Sequence, residues 1–566
     1  MCAKRLQAYR NPYLLICMIA AGALGGGYFV SVSALLTVVL LGSLFYRIFT
    51  AKRITAAWDI NMLAFAVLVF SCLLTGLWAV DPGMAPLGAV KFFPLLLFYI
   101  AVSGQQEERE RIIELLPVLG SLMTLFSFLM MQFPVFEEWV SVAGRLAGFF
   151  QYPNTYALFM LICLIIVIWR YRGKETDWLD YLHGLAAVFG IIMSGSRTVF
   201  VLTGAVLLWL LIMRRILSRR MLLLLAAGCA LAGVLVLAVG GTEVLGRFGD
   251  ISLRSSTFLG RMLYVRDALP LILRYPFGMG YYGYYFIQQS VQTGVYSVVN
   301  VHNELLQIIL DAGLIPAALM VYALLLSVFT RRTGQRNRVI LAVILLHSLL
   351  DYDFQFLFMG FVLILFLDMR NIRTHRVPVL TKSVVSLAGA GMLLLSVSGG
   401  LSDLVYISGN YEMSLRAYSG NTAARLRLLT EAEDTQEMGK IADAILEGDP
   451  YVSVAYSAKA RALFAEGNVA EFIEYKEKAL ETAPYQFDEY MDYLDVLSYC
   501  EREYLADGNV EDARICAEHA AKIPEMLEAV RNRTSWLGWQ IDDKPQLTLS
   551  YDDMELIREM EELVNE

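Results

Sequence analysis

Residues 240–316 read GGTEVLGRFGDISLRSSTFLGRMLYVRDALPLILRYPFGMGYYGYYFIQQSVQTGVYSVVNVHNELLQIILDAGLIP and form a long interruption between hydrophobic segments. The part before His302 is net cationic, with the charged residues Arg247, Arg254, Arg261, Arg266, Arg274, Glu243, Asp250 and Asp267. His302 and Asn303 stand just before the next apolar run, where a helix is expected to begin. Backbone N–H groups at a helix start favour an anion, and an imidazole exchanges a proton near neutral pH. The stretch therefore predicts a site at a membrane face that holds an anion and moves a proton.

The rest of the first 400 residues is a series of apolar runs of about 17–22 residues, the length of a helix that spans a bilayer. We therefore predict an all-α protein: a polytopic membrane helix bundle of about thirteen spans with a large extracytoplasmic loop, followed by a C-terminal soluble helical-repeat domain. The predicted spans are 12–27, 30–48, 59–78, 84–103, 112–132, 154–170, 179–194, 198–213, 221–240, 303–329, 338–350, 354–369 and 381–400. No A-x-A-like cleavage site follows the first run, so a cleaved signal peptide is not expected.

Basic residues fall mainly in alternate loops between the predicted spans. These loops hold 23 of the 31 Lys and Arg residues of positions 1–400. Cytoplasmic loops are enriched in Lys and Arg, so the N-terminus is predicted inside and residues 401–566 outside. This rule does not account for basic residues on the outer face, among them Arg145, Arg197 and Arg261. Binding of an anionic ligand would explain their presence there.

Charge also divides the chain into two domains. Positions 1–400 carry 31 basic and 19 acidic residues, and positions 401–566 carry 15 and 35, so the net charges are +12 and −20. We predict a membrane domain over 1–400, with a long outer loop at 241–302, and an extracytoplasmic domain over 401–566. The acidic balance of the second domain argues against nucleic acid as its partner.

The second domain carries signs of a helical repeat. Pro450 and Pro484 are 34 residues apart, which is the tetratricopeptide period, and Gly-Asn pairs precede helical segments at 467–468 and 508–509. We interpret 401–566 as a degenerate tetratricopeptide-like array whose role is to dock a protein or glycan partner. Cys500 and Cys516 could form a disulfide if this domain lies outside the cell.

The tenth predicted span is interrupted at residues 311–316. Pro316 removes a backbone donor and disfavours the helical state of the residue before it. We expect a short re-entrant or kinked helix that starts near His302 and a continuation from about 316. Non-helical backbone at membrane depth is tolerated only beside a cavity or within protein, so the interruption indicates a cavity.

Several polar residues remain open to two interpretations. Arg197 and Arg261 could bind phosphate oxygens, which match a guanidinium bidentately, or could anchor the chain at lipid headgroups. His302 could cap a helix at a lipid interface, but the surrounding arginines favour a chemical role. Arg266 and Asp267 are adjacent on the chain and are expected to be solvated.

Lys91 lies within the fourth predicted span, about 12 Å from its outer end, where it either faces a polar cavity or snorkels and pairs structurally. His347 and Asp351 are an i,i+4 pair that could form a metal pair or a His–carboxylate couple. No third ligand with suitable spacing is visible, which favours a structural or orienting role. The chain has no P-loop, GxGxxG, nucleophile elbow or DxD motif, so we expect no nucleotide-dependent site.

Four segments resemble motifs of the O-antigen ligase and O-antigen polymerase superfamily. They are GRLAGFFQYPNTYA at 144–157, SGSR at 194–197, GRMLYVRDALPLILRYPFGMG at 260–280 and VHNELLQIILDAGLIP at 301–316. They occur in the family's order, with a long outer loop between the last two, and the resemblance covers about 140–370. Members of this group also carry tetratricopeptide-like tails.

The resemblance implies a bacterial enzyme of the cytoplasmic membrane that transfers a glycan from a polyprenyl-diphosphate donor to an acceptor hydroxyl on a glycan, lipid or protein. It implies one inverting displacement without metal, nucleotide or other cofactor. By motif match, Arg197 and Arg261 would clamp the diphosphate and His302 would activate or orient the acceptor hydroxyl. Candidate substrate-binding residues are Arg145, Asn154 and Asn303, which lie in the matched motifs, and Lys91, His347 and Asp351, which no motif match secures.

The sequence leaves the reaction open in three ways. The enzyme could polymerise repeat units, attach a finished glycan to a terminal acceptor, or glycosylate a protein. A transporter or flippase of lipid-linked glycans is the alternative from another class, but no two-fold internal repeat is visible and the polar residues cluster on one face. A simple membrane anchor for the tail would not require thirteen spans and a cationic loop.

Overall fold

The computed structural model describes residues 12–50, 52–172, 177–214, 226–230, 233–234, 237, 246 and 252–564. The helices of the first part are Pro12–Ala23 (α1), Val30–Thr50 (α2), Ile60–Thr75 (α3), Ala85–Ser103 (α4), Gln106–Met130 (α5), Pro134–Val140 (α6), Pro153–Arg172 (α7), Trp178–Ser194 (α8), Arg197–Arg214 (α9), Ser256–Arg274 (α10), Gly283–Val291 (α11), Glu304–Ala312 (α12), Leu314–Phe329 (α13), Gln335–Ser348 (α14), Leu357–Phe366 (α15) and Val379–Ile407 (α16). The helices of the tail are Tyr411–Ala417 (α17), Thr422–Glu431 (α18), Thr435–Leu446 (α19), Ser453–Ala465 (α20), Val469–Thr482 (α21), Phe487–Ala506 (α22), Val510–Arg533 (α23), Trp536–Gln540 (α24) and Tyr551–Leu563 (α25). The strands are Arg53–Ala57 (β1), Ser141–Val142 (β2), Arg145–Leu146 (β3) and Ile372–Arg376 (β4).

Within the described residues, five helices are long and apolar enough to cross a membrane, namely α2, α4, α5, α7 and α16. Six shorter apolar helices accompany them, namely α1, α3, α8, α9, α13 and α15. This is the composition of a helical, multi-pass membrane protein, as the sequence predicts. Of the predicted spans, 221–240 lies largely outside the described residues, and each of the others coincides with helix. The number of helices that cross the bilayer stays a prediction.

The centre of the membrane domain is built from helices that are apolar on every side. All residues of α7 from Thr155 to Ile168 are buried, and so is the whole of α15. Such helices bury their entire circumference in protein instead of facing solvent with a polar stripe. Because Pro153 at the first position of α7 has a fixed φ and no N–H to satisfy, it suits the start of this helix. These buried helices fix where the loops at their ends lie.

The all-α prediction is confirmed, and two short ribbons accompany the helices. Strands β1 and β4 pair in antiparallel register, with Thr55 opposite Thr374. Their parent loops are both basic and are both predicted on the cytoplasmic side. The ribbon places these two loops on one face of the membrane domain, in agreement with that part of the charge pattern. The second ribbon, β2–β3, lies beside the candidate site.

The helix break predicted at 311–316 is confirmed and falls at Gly313. Helix α12 ends at Ala312 and α13 begins at Leu314, with Gly313 at φ +100°. A side chain there would be strained in its backbone, and its Cβ would lie 2.6 Å from the carbonyl carbon of Phe277. Glycine is therefore required at this position, whereas Pro316 is accommodated in the first turn of α13.

The tail is a series of antiparallel helical hairpins. Gly467 and Gly508 end helices with positive φ, and the asparagine after each caps the next helix. The same device occurs at Gly409–Asn410. The helical character of the tail is thus confirmed, while its assignment as a tetratricopeptide array stays a prediction. Cys500 and Cys516 are buried, free thiols.

The tail packs on the side of the membrane domain that carries the predicted outer loop. The Tyr418 hydroxyl donates to the Gly83 carbonyl at 2.6 Å, and Ser453 donates to Gln289 at 2.9 Å. The predicted outer loop is not irregular, because it contains α10 and α11. The sequence analysis did not anticipate these two helices, which lie between the membrane helices and the tail.

The β1–β4 ribbon can be tested by cross-linking. We expect Thr55→Cys with Thr374→Cys, in a background without other cysteines, to form a disulfide on mild oxidation, since directly opposed residues have Cβ atoms about 5 Å apart. The measurement is a change in electrophoretic mobility that reductant reverses. Thr55→Cys with Ser453→Cys, which joins opposite faces, is the control and should stay uncross-linked. An absence of cross-linking in the first pair would contradict the ribbon.

Candidate active site

Four polar residues predicted from separate parts of the sequence line one cavity of about 490 Å³. They are Arg145, Asn154, Arg197 and Arg261. The apolar part of its wall includes Val201, Leu202, Phe258, Leu346 and Leu350. A cavity with three guanidinium groups and an apolar wall suits a ligand with an anionic group and a hydrocarbon portion.

Arg145 is held in place by the β2–β3 ribbon. The turn between these strands, Ala143 and Gly144, has positive φ at both residues, as the tightest hairpin turns require. The guanidinium of Arg145 donates to the Ser194 carbonyl at 2.7 Å and to the Asn154 side chain at 2.9 Å. Arg145 thus ties the ribbon to the end of α8 and to the start of α7.

Arg197 enters the same cavity from the turn between α8 and α9. Gly195 has φ +57° and ends α8, so the chain reverses there and Arg197 becomes the first residue of α9. Arg261 comes from α10, on the same wall as Thr257 and Phe258. The sequence predicts that Arg197, Arg261 and His302 share one pocket; Arg197 and Arg261 line this cavity, and His302 does not.

Asp351 is the residue that Arg261, Asn154 and Tyr152 all contact. Its carboxylate is fully buried and accepts from Arg261 Nη2 at 3.1 Å and from Asn154 Nδ2 at 2.9 Å on Oδ2. Its other oxygen, Oδ1, accepts the Tyr152 hydroxyl at 2.5 Å. Burial alone would raise the pKa of Asp351, but Arg261 and His302 outweigh burial and hold this pKa well below its usual range. Ionised Asp351 therefore stabilises the folded state at pH values above the pKa of an aspartate in the unfolded chain. This stabilisation is lost as the pH falls through the lower pKa that Asp351 has in the folded protein.

His302 lies on the other side of the same carboxylate. Its Nδ1 is 3.5 Å from Asp351 Oδ1, and its ring packs edge-on against Tyr352 with the centroids 4.9 Å apart. The Tyr264 ring on α10 is 5.9 Å away. His302 is not among the residues that line the arginine cavity, so Asp351 is the direct link between the imidazole and Arg261.

The backbone of His302 is in the left-handed region, with φ +53°. A non-glycine residue rarely adopts this conformation, and the surrounding structure must hold it there. The next residue, Asn303, caps α12 by accepting from the Leu306 N–H and donates to the Leu349 carbonyl at 2.9 Å. Asn303 therefore positions His302 against the 349–352 segment, and these contacts are structural.

Glu304 performs a related task that the sequence analysis missed. Its buried carboxylate accepts from the Phe354 N–H at 2.9 Å and from Gln355 Nε2 at 3.4 Å. It thus connects the start of α12 to the short helical turn that follows Asp351. The sequence feature that could have predicted a role for Glu304 is its position directly after His302 and Asn303.

The predicted pairing of His347 with Asp351 is wrong. His347 is fully buried, and its Nδ1 lies 2.6 Å from Oδ2 of Asp353. The other oxygen of Asp353 accepts from Thr155 at 2.8 Å. The helix containing His347 ends at Ser348, so the i,i+4 spacing to Asp351 no longer describes one helix face. In the part of the chain that the structure describes, no group of three or more His, Cys, Asp or Glu residues is placed to hold a metal ion.

Lys91 is buried but lies apart from the arginine cavity. Its ammonium donates to the Tyr28 carbonyl and sits 4.7 Å from the centroid of the Tyr28 ring. It does not snorkel to an interface, because only 1% of the residue is exposed. Three charged residues of the cationic stretch, Glu243, Arg247 and Asp250, lie outside the described residues.

Tyr152 is the other contributor that the sequence analysis did not select. It binds Asp351, accepts from Asn154 Nδ2 at 3.2 Å, and its ring lies 4.7 Å from that of Tyr352. It stands two residues before Asn154, within the motif at 144–157. Its role depends on the distant Asp351, so local sequence carried little sign of it.

Comparison with known proteins gives one family match, and it covers part of the site. Residues 183–322 match the family model described as O-antigen ligase. This match supports the assignment of the segment to the O-antigen ligase and polymerase superfamily. The match covers about a quarter of the chain and includes Arg197, Arg261 and His302, whereas Arg145 and Asp351 lie outside it. It supports a cell-surface polysaccharide ligase- or polymerase-type function and a glycosyltransferase-like enzyme. No curated protein and no solved structure matches the chain.

The buried ion pair between Arg261 and Asp351 gives a stability prediction. We expect Asp351→Asn to destabilise the fold by about 3–5 kcal/mol, because it leaves the Arg261 guanidinium buried without a counter-charge. The measurement is the apparent Tm of the purified protein in detergent. The double variant Asp351→Asn with Arg261→Gln removes both charges and should recover part of that loss. Equal destabilisation in the single and double variants would contradict a dominant Arg261–Asp351 interaction.

Proposed function

We propose that the protein transfers an oligosaccharide or polysaccharide from a polyprenyl-diphosphate carrier to an acceptor hydroxyl at the outer face of the cytoplasmic membrane. The observation that carries the proposal is the shared cavity of Arg197 and Arg261, with His302 joined to Arg261 through Asp351. The family match supports a polysaccharide ligase- or polymerase-type reaction in a membrane. The proposed donor combines the two features that this cavity accommodates, a diphosphate and a hydrocarbon chain.

The reaction proposed is one displacement at the anomeric carbon. The acceptor oxygen forms a bond to that carbon, and the bond between the carbon and the diphosphate oxygen breaks with inversion. The departing diphosphate gains negative charge, which the guanidinium groups of Arg197 and Arg261 stabilise as it develops. Arg145 and Asn154 complete the polar wall that shapes the diphosphate site.

His302 is proposed to take the proton of the acceptor hydroxyl. Asp351 Oδ1 lies 3.5 Å from its Nδ1, and in the proposed step this carboxylate compensates the positive charge that the imidazole gains with the proton. The same carboxylate binds Arg261, so proton transfer and charge stabilisation are held in one geometry. Metal and nucleotide have no part in this proposed step.

The site assignment predicts loss of transfer without loss of folding. We expect His302→Ala to abolish transfer of glycan from a polyprenyl-diphosphate oligosaccharide, because the acceptor then has no base. Arg261→Lys should also lower transfer strongly, by about 100-fold, since an ammonium cannot reproduce the bidentate contact with the diphosphate. The measurement is product formation by the purified protein in liposomes.

Two matched substitutions serve as controls for this experiment. His375→Ala changes a residue of the exposed strand β4 at the other face. Arg254→Lys changes an exposed residue that precedes α10. Both should keep wild-type transfer. Full activity of His302→Ala and Arg261→Lys would refute the proposed site. A ladder of products identifies a polymerase, a single mass shift identifies a ligase, and carrier movement without a new bond identifies a flippase.

The proposed chemistry also predicts insensitivity to chelators. We expect the transfer rate to be the same with and without EDTA, because the proposed charge stabilisation comes from guanidinium groups alone. The measurement is the initial rate after dialysis against chelator, with a metal-dependent glycosyltransferase treated in parallel as the control. A loss of activity that added divalent cation restores would overturn the metal-independent mechanism.

A further inference from the structure

Helix α10 has two opposite faces with different neighbours. At 100° per residue, Thr257, Phe258 and Arg261 point to one side, and these residues line the arginine cavity. Positions 256, 259, 263 and 267 point to the other side. The tail, not the membrane domain alone, covers this second face.

The apolar part of that cover is formed by the short tail helix α24 and the residue after it. Leu263, which is fully buried on α10, forms an apolar cluster with Tyr296 and Ile541. Leu259 of α10 and Leu537 of α24 pack against the same cluster, and so does Tyr264, whose ring neighbours His302. Helix α24 and Ile541 therefore cover this face of α10 together with Tyr296 of the outer loop.

Hydrogen bonds fasten both ends of the covered face. Near the start of α10, the Asp542 N–H donates to the Ser256 hydroxyl at 2.8 Å. Toward its end, the buried carboxylate of Asp267 accepts from the N–H and the hydroxyl of Thr293, each at 2.7 Å. The prediction that Asp267 is solvated is therefore wrong. The Thr293 carbonyl in turn accepts from the Ser535 N–H at 2.9 Å, just before α24 begins.

The contact between α24 and this loop leaves no room for side chains. A Cβ added at Gly538 would lie 2.4 Å from the Thr293 carbonyl oxygen, and one added at Gly294 would lie 2.7 Å from the Gly538 Cα. Two backbones approach here as closely as glycine permits. Any larger residue at Gly538 must push α24 away from residues 293–294.

We propose that the C-terminal domain is a structural part of the donor site, in which α24 holds α10 so that Arg261 faces the diphosphate. Asp267, Thr293 and Gly538 are then positioning residues, because they act through α10 and do not touch substrate. This inference rests on the proposed function and adds a role for the tail besides partner docking. A displacement of about 1 Å in such a group is enough to lower a reaction rate by about two orders of magnitude.

The test is the substitution Gly538→Leu in the full-length protein in liposomes. We expect the KM for the polyprenyl-diphosphate donor to rise by about tenfold or more, because Arg261 no longer holds its position. Gly538→Ala and Thr293→Val should give smaller changes in the same parameter. Binding of polyprenyl diphosphate alone, measured without acceptor, should weaken in the same order.

Gly448→Leu is the matched control in the same domain. A Cβ at Gly448 would meet only the Ile445 carbonyl at 3.6 Å, so the variant should keep the wild-type KM. A purely structural role for Gly538 would lower the amount of folded enzyme and kcat while leaving the donor KM and donor binding unchanged, and that result would overturn the inference. If Arg261→Lys itself leaves transfer intact, the proposed function fails. If Arg261→Lys abolishes transfer but Gly538→Leu leaves the KM unchanged, only the positioning role fails.

Discussion

A carboxylate that is completely removed from solvent needs compensating charge and hydrogen bonds, and Asp351 obtains both from distant parts of the chain. Arg261 supplies the charge, while Tyr152 and Asn154 donate hydrogen bonds. The folded state is destabilised if any partner of a buried ion pair is missing. All of these groups must therefore be in place in the folded protein. That requirement brings α7, α10 and the loop after α14 to one point. It also leaves His302 beside a fixed negative charge, which is the arrangement on which the proposed proton transfer depends.

The opposite end of the bundle is organised by a separate set of charges. Arg170 pairs with Glu114 at 2.6 Å and with Asp180 at 2.7 Å, and Arg336 pairs with Glu110 at 3.0 Å. Helix α14 connects the two ends, because Arg336 lies in its first turn and His347 in its last turn, about 16 Å away. The basic loops and the candidate site are therefore held at a fixed separation by apolar helices. This arrangement agrees with a chain whose two faces meet different solvents, although which face is outside is part of the proposal.

The acidic tail is joined to the candidate site through α10, and the joint consists of close backbone contacts instead of charge pairs. Gly294 and Gly538 allow the two backbones to approach. Thr293, which lies at this contact, donates its N–H to Asp267 and accepts from the Ser535 N–H through its carbonyl. A domain that only docked a partner would not need to cover the back of the helix that presents Arg261. The geometry therefore favours one mechanical unit made of the outer loop, α10 and the tail.

The sequence by itself determined the helical membrane architecture, the helical tail, the break before Pro316 and the grouping of Arg145, Asn154, Arg197 and Arg261 as candidates. Each of these follows from local information, since apolar length, backbone-breaking residues and short motifs are all read within a few positions. Only the tertiary structure decided that His347 pairs with Asp353 instead of Asp351, that Asp267 is buried, and that Tyr152 and Glu304 support the site. The partners in these contacts are up to about 200 residues apart, as for Tyr152 and Asp351. The energies of these contacts depend on which side chains become buried together. The spacing of residues along the chain does not determine that.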